Sequence, residues 1–126
     1  MSGHEEQAEV LIAAGSRDEL SLQLLIQTER APHETSGFLA QQAWEKYIKA
    51  GLVLKGIYFE RTHDLVALSL LAEQRGIKIP VNIEVLRALN SYAVQFRYEG
   101  CPVVLIEPKA CESVTNILAN WARTQL

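Results

Sequence analysis

A chain of 126 residues with 48% hydrophobic and 21% charged content fits a single soluble domain, residues 1–126, large enough to bury a real core. Its net charge of −3 excludes a global basic field for nucleic acid. The longest near-apolar run, Leu65 to Ala72, is far short of the roughly 20 residues that cross a bilayer, and the N-terminus lacks the apolar core of a signal peptide.

Charge is uneven along the chain. Seven acids precede Gly37 against Arg17 and Arg30, whereas Gln41 to His63 holds Glu45 and Glu60 against Lys46, Lys49, Lys55 and Arg61. A local basic patch is therefore allowed. Cys101 and Cys111 form no CxxC and have no neighbouring histidine, so the spacing does not suggest a metal site. Both read as reduced thiols of a cytoplasmic protein. No cofactor motif is present.

In chain order the pattern is helical. From about Glu5 to Glu29, apolar groups at Val10, Leu11, Ala14, Leu22, Leu25 and Ile26 approach helical spacing. Gly15 interrupts them, and Ser16 with Glu19 has capping-box spacing, so the segment is one long helix or breaks there. Ala31-Pro32 ends it. A second helix, capped by Thr35 or Ser36, carries Phe38, Leu39, Ala43, Trp44, Tyr47, Ile48, Leu52 and Val53 and stops at Gly56. Thr62 is the expected cap of a third helix, with Asp64 in its first turn and Leu65, Leu68, Leu71 and Ala72 on its apolar side. Asn82 caps a fourth, with Val85, Leu86, Leu89, Ala93 and Phe96, ending near Arg97 to Gly100. Residues 101–107 read as extended loop, since Val103 to Ile106 have no partner strand. Pro108 suits the first turn of a last helix with Val114, Ile117, Leu118 and Trp121. The expected fold is all-α, an up-and-down antiparallel bundle of four to five helices.

The chemistry concentrates in QQAWEKYIKA, residues 41–50. Gln42, Glu45, Lys46 and Lys49 fall at relative positions 0, 3, 4 and 7, a single helical stripe. Glu45 and Lys49 are also an ion pair in the favourable order, worth about 0.2–0.5 kcal/mol if exposed. The stripe reads as solvated surface or as cations and an amide that hold a phosphate or a partner's acids. His63-Asp64 stands at a helix start, where the imidazole is a proton donor or acceptor near neutral pH or a loop residue that closes the turn. Arg87, Asn90 and Arg97 share a polar edge on the fourth helix. Arg97 suits bidentate phosphate binding, pairing with an acid, or covering apolar surface. The aromatic residues Phe38, Trp44, Tyr47, Tyr92, Phe96 and Trp121 read as core or dimer contacts.

Taken together, FLAQQAWEKYIKAGLVLKG, RTHDLVALSLL, Phe96-Arg97-Tyr98 and the closing NWARTQL resemble the HEPN family, helical domains named for higher eukaryotes, prokaryotes and nucleotide binding. The resemblance covers most of the chain. It implies a helical bundle that is commonly a homodimer. Many such proteins are ribonucleases, often toxins, with an Arg and a His separated by four to six residues. Others accompany a small nucleotidyltransferase in a toxin–antitoxin pair, and others bind nucleotides without cleaving RNA. This chain departs from the ribonuclease pattern. Arg97 is followed by YEGCPVVL with no histidine, Arg61 and His63 are too close, and Leu39 stands where the family has a histidine early in the second helix. Without that proton carrier the usual cleavage mechanism fails. The expectation is a non-catalytic homodimer that binds a nucleotide or a nucleotidyltransferase partner protein through Gln42, Lys46, Lys49, His63 and Arg97, with Glu45 as the orienting group. The alternatives are an RNA-cleaving toxin using His63 and Arg97, and a purely structural adaptor.

Overall fold

A computed structural model of the chain describes residues 3–95 and 106–126, and within them five helices and no strand. These are α1 (Gly3–Gln27), α2 (His33–Leu54), α3 (Leu65–Gln74), α4 (Ile83–Gln95) and α5 (Pro108–Thr124). They form the expected all-α, up-and-down bundle. The organising feature is α2, which packs against each of the other four helices. In addition, α1 touches α5 and α3 touches α4. No helix among the described residues is long and apolar enough to cross a membrane.

α1 is continuous, so the break allowed at Gly15 does not occur. Its buried stripe runs through Ala8, Ile12, Gly15, Glu19 and Leu22, alternating steps of four and three. Val10, expected on the apolar side, is 68% exposed because the stripe passes beside it. Gly15 serves close approach instead of termination. A Cβ there would come within 2.9 Å of the Tyr47 ring, so glycine lets α1 and α2 touch.

Two helix starts differ from the expected ones. α2 begins at His33, with the extended backbone of Pro32 at its N-cap and no side-chain cap. Thr35 and Ser36 lie inside the first turns, where the Ser36 N–H already donates to the Pro32 carbonyl at 3.0 Å. α3 is capped by Asp64 instead of Thr62. The Asp64 carboxylate accepts from the N–H groups of Val66 (3.0 Å) and Ala67 (3.2 Å), while the Thr62 hydroxyl accepts from the Asp64 N–H at 3.1 Å. The other boundaries are as expected. Gly56 (φ 69°) follows the α2 C-cap Lys55, Asn82 accepts from the Glu84 N–H at 2.7 Å, and Pro108 opens α5. The expected end of α4 and the run 101–105 lie outside the described residues.

α2 is buried on almost every side. Trp44, Tyr47, Ile48 and Leu52 are fully enclosed with Leu22, Leu65, Leu86, Leu89 and Leu118 from the surrounding helices. Its polar atoms therefore need partners inside the protein. The Trp44 indole donates to Thr115 Oγ1 at 2.6 Å, and that hydroxyl donates to the Cys111 carbonyl at 2.6 Å. The Tyr47 phenol donates to Glu19 Oε1 at 2.6 Å, with Ser16 Oγ 3.4 Å away and Arg123 donating to Ser16 at 2.9 Å. Burial, reinforced by the Glu19 bond, pushes the Tyr47 phenol up to about 12. Burial likewise pushes the Cys111 thiol up to about 11.

Two consequences can be measured. A Cβ at Gly51 would overlap the Trp121 ring. Gly51→Ala is therefore expected to destabilise by about 1–3 kcal/mol in urea unfolding, despite a helix-propensity gain of about 0.5–1 kcal/mol. Stabilisation of the variant would disprove the close packing. The raised phenol and thiol also set an alkaline limit. In the unfolded chain they ionise near 10.0 and 9.0, before the folded groups do, so stability is full below pH 9 and falls as pH rises towards 11 and 12. Tyr47→Phe should flatten the upper part of that fall and Cys111→Ala the lower part; unchanged slopes would place the loss elsewhere.

Candidate functional site

The site is built where the middle of α2 meets the loop that leads into α3. Glu45 is its centre, with a side chain only 8% exposed. Three donors converge on that carboxylate. Lys49 Nζ reaches Oε2 at 2.9 Å, His63 Nδ1 reaches Oε1 at 2.9 Å, and Gln41 Nε2 reaches Oε1 at 3.3 Å. The same Gln41 amide donates to the His63 carbonyl at 3.1 Å, and Gln42 Nε2 donates to Gln41 Oε1 at 2.7 Å. Gln41 is fully buried, Lys49 is 13% exposed, and His63 is 69% exposed. The cluster therefore has a closed floor and one open group, the imidazole.

The loop is pinned from the far side by α4. Asn90 Oδ1 accepts from the Leu65 N–H at 2.8 Å, and its Nδ2 donates to Asp64 Oδ1 at 2.7 Å. Asp64 thus holds the start of α3 and the side of α4 with one carboxylate. Arg87, on the expected polar edge, instead forms an exposed pair with Glu84 at 2.7 Å.

The stripe read from α2 divides in the structure. Glu45, Lys49 and His63 come together, and Gln42 joins them through Gln41. Lys46 turns the other way and pairs with Asp18 of α1. Neither side is simple solvated surface, because α1 covers one flank and the α2–α3 loop the other. Both lysines already hold a carboxylate. Lys49 also stands 5.8 Å from the centre of the Phe59 ring. Arg97 lies outside the described residues. Gln41 was missed by sequence reasoning, although its four-residue spacing from Glu45 is the available signal. Asn90 was visible as a polar residue, but its partner is 26 residues away.

The molecule also carries an open groove of about 890 Å³. Val10 and Leu11 of α1 and Val53, Ile57, Tyr58 and Phe59 line it, with His4, Glu6 and Gln7 at its polar side. Phe59 belongs to both places, since its ring meets the groove and Lys49. Among the described residues, no group of three or more His, Cys, Asp or Glu side chains is placed to hold a metal ion.

A family profile for the HEPN domain matches residues 8–120, which includes all of α2, α3 and α4 and most of α5. The chain belongs to the HEPN family. The crystal structure of an archaeal HEPN homologue is similar in fold, with a TM-score of 0.63 at 21% identity over 94% of this chain and 96% of that one. No curated protein sequence matches.

The two lysines test the division of the stripe. Lys49→Met removes one of three donors from an enclosed carboxylate and is expected to cost about 1–3 kcal/mol. Lys46→Met breaks a more accessible pair and is expected to cost about 1 kcal/mol or less. Equal and small losses in urea unfolding would return both residues to ordinary surface.

Proposed function

We propose that this HEPN protein is non-catalytic and binds a nucleotide or an associated nucleotidyltransferase, as one component of a toxin–antitoxin-type pair, and that it does so as a homodimer. The observation that carries the binding site is the exposed His63 imidazole held by a buried carboxylate. Glu45 fixes the ring, and Gln41 fixes both Glu45 and the His63 backbone. A directed polar group is what orients a small ligand, about 300–1,000 Å³ is the usual size of a ligand cleft, and the groove that shares Phe59 with Lys49 falls in that range. Arg97 is the proposed phosphate partner, because Lys46 and Lys49 are already paired. The chain carries no Arg and His separated by four to six residues, which supports binding without cleavage.

One observation favours a second reading. A histidine oriented by a carboxylate is also the arrangement of a general base. With Arg97 as the stabilising cation, His63 would then serve a metal-independent endoribonuclease.

Thermal unfolding with ATP, GTP and their diphosphates separates these readings from a structural adaptor. At 100 times the dissociation constant a ligand stabilises by about 2.7 kcal/mol. His63→Ala should lose that shift, and Lys46→Met should keep it. A wild type that no nucleotide stabilises and no nucleotidyltransferase binds would defeat the proposal. RNA cleavage by wild type in the presence of a chelator, abolished by His63→Ala, would establish the ribonuclease instead.

A further inference from the structure

We propose that two copies of this chain join through the outer face of α1, packed antiparallel about a two-fold axis level with Gly15. The inference rests on the homodimer reading above and names the surface that makes the dimer.

α1 carries two stripes. The inner one, through Ala8, Ile12, Gly15, Glu19 and Leu22, is buried against the bundle. The outer one, through Glu6, Val10, Ala13, Arg17, Leu20 and Leu24, is exposed along its whole length. Its steps alternate four and three, so it stays on the side of the helix away from the core. That alternation is also the spacing with which one helix packs along another. Val10, Leu20 and Leu24 are 68%, 54% and 55% exposed. No other helix among the described residues carries more than one large apolar side chain so exposed. An apolar stripe on the outside of a helix whose inner face is already packed marks a contact surface.

The pattern is complementary to itself. Its positions pair about residue 15: Val10 with Leu20, Ala13 with Arg17, and Glu6 with Leu24. An antiparallel second copy therefore sets Val10 against the partner's Leu20 and Leu20 against the partner's Val10, the reciprocal contact of an isologous interface. Arg17 falls opposite the partner's Ala13. That small side chain leaves room for the guanidinium to reach the partner's Glu9, one turn away. Neither Arg17 nor Glu9 makes an ion pair among the described residues. A parallel pair would instead set the two Arg17 side chains against each other, so charge selects the antiparallel arrangement.

The groove supplies a second fit. Glu6 and Val10 line it together with Val53, Tyr58 and Phe59. In the antiparallel register the partner's Leu24 arrives beside Glu6 and Val10, at the mouth of that groove. The concave end of each α1 face thus receives the protruding end of the other. The contact from Glu6 to Leu24 runs along about 27 Å of helix, and a groove at each end widens it beyond a single seam.

Sedimentation equilibrium tests the proposal. Wild type is expected to dimerise. Leu20→Asp should weaken the dimer about 100-fold, because burying one leucine is worth about tenfold and the two-fold axis counts it twice. Arg17→Glu and Glu9→Arg should each weaken it about tenfold, and the double variant should return to within about threefold of wild type. Such a rescue does not arise from misfolding, and all three positions are exposed in the single chain. A wild-type dimer that none of the single substitutions weakens would place the interface elsewhere and overturn this proposal, with the homodimer reading intact. Losses in the two charge variants that their combination does not restore would overturn the antiparallel register and the proposal with it. A wild type that stays monomeric would overturn the homodimer reading and this interface together.

Discussion

The enclosure of α2 is the constraint on which the rest depends. A helix covered by four others gains a large apolar contact, but it takes its polar side chains out of water. Each such group must then find a partner on another element. The surrounding helices consequently carry polar residues at positions that a simple amphipathic pattern would fill with apolar ones. Glu19 in the buried stripe of α1 answers the Tyr47 phenol. Thr115 in the buried stripe of α5 answers the Trp44 indole. Lys46 is answered by Asp18. Removal of either partner in such a pair leaves the other desolvated, so these bonds specify which helix faces which as well as adding stability.

Glu45 is the case where this constraint shapes the candidate site. Its carboxylate is nearly as enclosed as a core residue, and burial there requires several donors to satisfy its oxygens. Two come from its own helix and the third from the loop before α3. That third donor ties the imidazole to a rigid helix, and the Asp64–Asn90 pair ties the other side of the loop to α4. A histidine on a loop is ordinarily free to rotate. Here its orientation follows from the same requirement that satisfies a buried charge, so the open edge of the ring is defined before any ligand arrives.

Local rules in the sequence covered the helices well and their partners poorly. Gly56, Asn82 and Pro108 mark boundaries through their own backbone chemistry, and the structure keeps them. Thr62 and Asp64 are both sound caps two residues apart, and the choice between them is made at a distance, because Asn90 holds the Asp64 carboxylate and the Leu65 amide. Gly15 looked like a weak point because a glycine's missing side chain signals a break and a close contact equally. Only the position of the Tyr47 ring distinguishes them. The 41–50 stripe had the right residues, but its periodicity says which side chains share a helix face and nothing about what covers that face. Lys46 and Lys49 are three apart in sequence, yet one meets α1 and the other the Glu45–His63 cluster.

That last difference bears on recognition. Two unpaired lysines would attract any polyanion through a field screened over about 10 Å at ordinary salt. Two paired lysines leave little such field, and the chain as a whole is slightly acidic. At the proposed site, discrimination then rests on directional hydrogen bonds at short range, for which orientation matters more than charge. The carboxylate that neutralises Lys49 is the one that orients His63. The arrangement that reduces non-specific attraction is thus the same one that orients the imidazole, and changing Glu45 alters both together.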